Sequence, residues 1–306
     1  MQTVTLDAYA KINLTLDVTG QRADGYHLVR MVMQSVSLYD TLTLSLRADA
    51  QNVLHLSDAS TAEGAKELPL DATNLILRAV DAMQKKYSIT YGIDVTLIKR
   101  IPMAAGLAGG SADAAAALVG MNHLFSLNLP AEELSEIALS LGADVPFCLT
   151  GGTKLAEGVG EILTDIPPMP ESHILIAKPP VGVSTREVYT ALDRKASGSY
   201  AAIAHPDVDG QIAALKRADL NGVSRLMGNV LETVTLMTTP AVGRIKDMMR
   251  TEGALGAMMT GSGPTVFGIF TDKGKADRAY DALLMSGLCA DVCLCAPARE
   301  GIVIRA

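Results

Sequence analysis

From Val4 to Val18 apolar residues occupy every second position: Val4, Leu6, Ala8, Ala10, Ile12, Leu14, Leu16 and Val18. Between them lie Thr5, Asp7, Tyr9, Lys11, Asn13, Thr15 and Asp17. A period of two over that length predicts one long strand, or two consecutive strands in one register. It also turns Lys11 and Asn13 together to the face away from the core. An Asp-Gly turn signal within 21–25 leads to Tyr26-His27 and a second strand over about 31–46. Thr73 or Asn74 can cap a helix with Leu75, Ala79, Ala82 and Met83 on its apolar side. Alternation returns at Ile93, Val95 and Leu97 and stops at Pro102. A loop of small residues then feeds a helix over 111–124. A further helix over 131–141 stops at Gly142, which suits a left-handed cap.

The stretch 162–171 carries Pro167, Pro168 and Pro170 and reads as a domain boundary, giving units of 1–165 and 166–306. The second unit opens with a strand over 173–178. The capping box Ser184-Thr-Arg-Glu187 then starts a helix, and more helices occupy about 208–250. Strands over 255–260 and 265–270, a helix over 273–286 and a strand over 291–296 follow. With the inserted helices set aside, the order is βα, ββ, αβ, the split pattern of ferredoxin-like domains.

Composition narrows the function classes. Hydrophobic residues make up 49% of 306 and charged residues 19%, a globular balance. Lys+Arg 26 against Asp+Glu 33 gives a net charge of −7, and no basic run occurs, so neither nucleic acid nor an anionic membrane is an expected partner. No signal peptide or apolar span is evident, so a soluble, cytoplasmic protein is expected. The four cysteines form no disulfide framework, and Cys289, Cys293 and Cys295 lie in an apolar strand without a fourth ligand, which favours buried thiols over a metal site.

Candidate chemistry centres on Pro102-Met-Ala-Ala-Gly-Leu-Ala-Gly-Gly-Ser-Ala112. Three glycines and four alanines among eleven residues let a ligand approach the backbone. The loop opens a helix, where unpaired N–H groups and the positive dipole end favour an anion. Ser111 can cap that helix and offer its hydroxyl to phosphate or Mg²⁺. No Lys follows the glycines, and the dinucleotide spacing is not met, so neither common phosphate loop is present. A second small-residue turn, Thr260-Gly-Ser-Gly-Pro-Thr265, could close on the same nucleotide from the other unit.

Phosphoryl transfer needs an aligned hydroxyl, a base and positive charge around the transferred group. Asp144, in a turn before Pro146, can be the base, and Lys11 can steady the charge that develops beside it. Tyr26 and Tyr189 can stack on a pyrimidine or purine base while His27 bonds its edge. Each also has a plainer reading: a turn residue for Asp144, an edge charge for Lys11, rings at the rim of the core for the tyrosines.

Four segments resemble the GHMP kinase superfamily: Ala10-Lys-Ile-Asn-Leu with Arg22-Ala-Asp-Gly-Tyr-His27, the loop 102–112, Gly142-Ala-Asp-Val-Pro-Phe147 and Thr260-Gly-Ser-Gly-Pro264. The resemblance runs over nearly the whole chain. The Gly-rich loop marks only the superfamily, whereas Gly25-Tyr26-His27 beside Lys11-Ile-Asn13 points to its branch with cytidyl substrates. The fold so implied is α+β: an N-terminal domain like ribosomal protein S5 domain 2 followed by a ferredoxin-like domain. The activity implied is transfer of the γ-phosphate of ATP, with Mg²⁺, to the 2-hydroxyl of a methylerythritol unit carrying cytidine diphosphate, in the non-mevalonate route to isoprenoids. By resemblance Asp144 is the catalytic base and Lys11 its partner. Pro102, Met103, Ala104, Ala105, Gly106, Leu107, Ala108, Gly109, Gly110, Ser111 and Ala112 form the ATP phosphate loop. Asn13, Tyr26, His27, Thr185 and Tyr189 hold the substrate. No protein metal ligand is implied, and the state is a monomer or homodimer.

The chain departs from the family in having Ala104, Ala105, Ala108 and Ala112 where Gly or Ser is common. Ala108 matters most, because alanine is strained at positive φ. Rival readings are a GHMP kinase of mevalonate, homoserine or sugar type, and a non-catalytic sensor on the same scaffold.

Overall fold

The structure, a computed structural model, describes residues 2–197 and 199–305; Met1, Gly198 and Ala306 lie outside the described residues. The long alternating run is one strand, β1 (Thr3–Gln21), paired antiparallel with β2 (His27–Leu46). Register shifts after Tyr9, Asn13 and Val18 bend this hairpin, so its two ends reach different partners. Next come β3 (Val53–Leu56), α1 (Leu75–Tyr87), β4 (Ile93–Ile98), α2 (Gly109–Leu124), α3 (Ala131–Leu141) and α4 (Val145–Thr150). Then β5 (Thr153–Glu157) and β6 (Ile162–Asp165) form a hairpin. The far half of β2 pairs β4, and its near half pairs β5.

The second half begins with β7 (His173–Lys178) and α5 (Thr185–Ala196). It continues through α6 (Val208–Lys216), α7 (Leu220–Arg225), β8 (Gly228–Asn229), α8 (Glu232–Thr238) and α9 (Ala241–Thr251). It ends with β9 (Gly256–Met259), β10 (Val266–Phe270), α10 (Lys273–Met285), β11 (Asp291–Cys295) and β12 (Ile302–Ile304). The order β11-β7-β10-β9, antiparallel throughout, is the ferredoxin-like sheet expected from the element order. The other sheet has eight strands: five along the path β12-β1-β2-β4-β3, with β5 branching from β2, β6 from β5 and β8 from β1. Two of its strands, β8 and β12, come from the second half and flank β1. No helix among the described residues is long and apolar enough to cross a membrane.

The strand β6 pairs β5 up to Asp165, just before the Pro-rich stretch. Two local expectations are corrected. Gly142 is extended (φ 170°), so α3 does not end in a left-handed cap; the Gly142 N–H simply bonds Ala138. Lys11 and Asn13 are buried rather than turned to solvent, since the second half covers that face of β1. The backbone N–H of Asn13 donates to Thr260 Oγ1 at 3.0 Å, and Asn229 Nδ2 donates to the carbonyls of Met259 and Gly261. These bonds lock the β9–β10 turn onto β1.

The core of the first half is α2, whose Ala114 to Leu118, Met121 and Leu124 are buried. Gly120 lets it approach the sheet, because a Cβ there would sit 2.9 Å from a Leu44 methyl. An Asn13 N–H without its acceptor would be a buried orphan donor, so Thr260→Val should lower unfolding stability by about 1–3 kcal/mol in a denaturant titration.

Candidate active site

Between the halves lies one cleft of about 1280 Å³. It is lined by every residue singled out from the sequence as a site candidate except Ala112, which is fully buried in the core of α2. Its floor is the loop 102–110 and the start of α2. Ala108 occupies the N-cap position at φ 57°, and no side chain caps the helix. Ser111 is therefore the third helical residue and not the cap expected of it; it faces the cleft. With no capping side chain, the first-turn N–H groups and the dipole remain available to an anion. Ala104 is also left-handed (φ 48°), so two alanines hold a conformation that favours glycine. Gly106 (φ 76°) admits no side chain, since a Cβ would lie 2.3 Å from the Thr260 carbonyl oxygen. The two small-residue turns thus touch back to back, and Gly261 and Ser262 of the second also line the cleft.

Asp144 stands at the N-cap of α4, yet its carboxylate accepts no capping bond. It faces Lys11 instead, with Oδ2 3.6 Å from Nζ. Lys11 Nζ donates to Asn13 Oδ1 at 2.9 Å, so β1 supplies a pre-positioned ammonium with its own anchor. Asp144 is one-third exposed while Lys11 is buried, which leaves the carboxylate open to a ligand from the cleft.

At the mouth, Gly25 (φ 89°) closes the β1–β2 turn and puts Tyr26 in solvent, 63% exposed. His27 then enters the cleft. Its ring packs on Tyr189 of α5 with centroids 4.5 Å apart. Burial, followed by the charge of Asp144, pushes the Tyr189 phenol well up, and it stays a neutral donor. Thr185, at the start of α5, shares a 2.9 Å hydrogen bond with Ser262 and ties the far wall to the second turn.

Sequence reasoning missed a buried charge cluster beneath the phosphate-loop candidate. Lys99 Nζ donates to Asp113 Oδ2 at 2.6 Å and also to Asp40. Burial alone would push the Lys99 amine down, but the two carboxylates outweigh it and hold it up. Asp113 moves up because burial and Asp40 together outweigh Lys99, and its Oδ1 has no partner among the described residues. The available signal was a charged residue in an otherwise Ala-rich helix. Asp193 and Tyr200, both bonded around His27, were missed for want of any spacing that joins them to it.

The family models agree with the architecture. "GHMP kinases N terminal domain" matches residues 74–152 and "GHMP kinases C terminal" matches 211–285. The chain belongs to the GHMP kinase family. A Lachnospira eligens protein named 4-diphosphocytidyl-2-C-methyl-D-erythritol kinase is 50% identical over 287 residues, covering 94% of this chain and 96% of its own. One of the same name from Lachnoclostridium phytofermentans is 44% identical over 92% of each chain. A crystal structure of 4-(cytidine 5'-diphospho)-2C-methyl-D-erythritol kinase superposes with a TM-score of 0.77 at 30% identity, covering 96% of this chain and 99% of its own. A homoserine kinase from Cytophaga hutchinsonii shares the fold at TM-score 0.76 and 21% identity.

Removing the Lys99 charge would strand two buried carboxyls. Lys99→Met should cost about 3–5 kcal/mol in unfolding free energy. A carboxyl whose folded pKa is raised keeps its proton as pH climbs past the unfolded value near ~4, and the stability that proton supplies is lost as pH rises further. The Lys99→Met deficit should therefore be smaller at pH 5 than at pH 8, measured by denaturation at both.

Proposed function

We propose that this chain is an ATP-dependent kinase that phosphorylates the 2-hydroxyl of 4-diphosphocytidyl-2-C-methyl-D-erythritol, releasing ADP. The observation that carries the reading is the position of the Lys11–Asp144 pair. It lies in the same cleft as the uncapped α2 start on one side and the His27–Tyr189 rings on the other. A phosphate donor and a base-bearing acceptor can then meet at one carboxylate. The relatives' shared name supports the choice of acceptor over mevalonate or homoserine.

In this reading Asp144 accepts the proton of the acceptor hydroxyl, and Lys11, held by Asn13, orients that oxygen and balances the developing charge. The N–H groups at Gly109, Gly110 and Ser111 take the phosphate oxygens, and the small side chains of 104–108 keep the approach open. Tyr26, His27, Thr185 and Tyr189 hold the cytidyl end. Among the described residues no cluster of three His, Cys, Asp or Glu could hold a resident metal. Mg²⁺ would be held chiefly by nucleotide phosphates, with the Ser111 hydroxyl as a protein ligand, and would neutralise charge on the transferring group. Four unpaired cysteines suit a reducing, cytoplasmic setting.

The test is ADP release with Mg²⁺ and the cytidyl substrate, with mevalonate and homoserine alongside. Turnover with the cytidyl compound alone is expected, and turnover with another alcohol instead would overturn the assignment. A folded Asp144→Asn protein should lose roughly 10²–10⁴ in kcat while still binding both substrates; near-normal kcat would remove Asp144 as the base.

A further inference from the structure

His27 is held from three sides. Tyr189 covers one face at 4.5 Å, Tyr200 meets it edge-on with the planes at 85°, and Asp193 Oδ1 lies 2.7 Å from Nε2. The same Asp193 oxygen accepts the Tyr200 hydroxyl at 2.5 Å. Burial, then the bond to Asp193, keeps that phenol protonated and donating. Asp193 is an acceptor only, so the imidazole edge facing it must carry its proton on Nε2. The other ring nitrogen, Nδ1, has no hydrogen-bond partner among the described residues, and the ring lines the cleft.

We infer that Asp193, steadied by Tyr200, fixes His27 as the Nε2–H tautomer, so that Nδ1 presents a lone pair to the base and selects a 4-amino pyrimidine over a 4-keto one. A cytosine ring offers an N–H donor at position 4 and pairs with that lone pair. A uracil ring offers a carbonyl there, and two acceptors face each other. Asp193 and Tyr200 are positioning residues that act through His27 and need not touch the substrate. Replacing Asp193 by Asn supplies both a carbonyl and an amide N–H, which frees the imidazole to reverse its tautomer and donate from Nδ1–H to a carbonyl instead. The inference rests on the cytidyl reading above and adds the device that sets the base preference.

The test has two readouts. Two-bond ¹H–¹⁵N spectra of the full ¹⁵N-labelled chain, with the His27 signal assigned from a His27→Asn variant, report the tautomer without turnover. Nε2–H is expected in the native protein, with a shift toward Nδ1–H in Asp193→Asn. An Nδ1–H form or a doubly protonated ring in the native protein would overturn the inference. The second readout is kcat/KM for the cytidyl substrate against its uridyl counterpart. The preference should fall by about tenfold or more in Asp193→Asn, through KM rather than kcat, and by less in Tyr200→Phe. An unchanged preference in a folded Asp193→Asn protein that turns over the cytidyl compound would sink the tautomer device alone. A native protein that turns over neither compound would sink the cytidyl reading and the device with it.

Discussion

The structure turns on one buried polar junction. On β1, Asn13 receives the Lys11 ammonium on its side chain and gives its backbone N–H to the Thr260 hydroxyl across the cleft. A lysine amine has no place in a protein interior unless its donors are met. Here one donor is met by a residue that is itself anchored to the other half, and the charge is faced by Asp144. The position of the Lys11 cation relative to Asp144 therefore follows from how the two halves pack. The Thr260 carbonyl lies against Gly106, so the same contact also sets the height of the phosphate-loop candidate. Cation, carboxylate and loop are referenced to a single point.

Beneath that junction a second polar cluster stabilises the loop by different means. Asp40 accepts the backbone N–H groups of Arg100 and Ile101 while facing Lys99, and Lys99 also reaches Asp113 just past the first turn of α2. The strand that enters the loop and the helix that leaves it are thus tied to one ammonium. Such a cluster adds little net stability against an apolar replacement of the same shape, but it tolerates no partial removal. It fits a loop whose Ala104 and Ala108 are held left-handed, because strained backbone persists only where its surroundings over-determine it.

Much of this was legible in the residues, and the exceptions are informative. Alternation from Val4 to Val18 gave the longest strand, and the element order of the second half gave its sheet. Asn74, Ser184 and Asp272 cap α1, α5 and α10 through local chemistry that sequence can carry. What failed depended on burial by distant chain. Lys11 and Asn13 look like surface residues until the β9–β10 turn arrives 247 positions later. Ser111 looks like a cap until Ala108 takes that place. The short strands β8 and β12 have no pattern of their own; they exist because β1 has edges to fill. His27, Asp193 and Tyr200 converge only through tertiary structure, and no spacing announces them.

The placement of β12 has a consequence for biogenesis. Leu6 pairs with Ile304, and Gly301 is wedged so closely against Cys148 that a Cβ there would lie 2.1 Å from its carbonyl oxygen. The helix that begins beside Asp144 is therefore packed against residues that leave the ribosome about 150 positions after it. Nascent chain can form the β1–β2 hairpin early, but the wall behind the catalytic carboxylate candidate waits until the residues around Gly301 have been made. Contacts of such sequence separation slow folding. A chain released before residue 301 would thus be an unfinished first half with an open sheet edge, a substrate for chaperones and proteases rather than a weak enzyme.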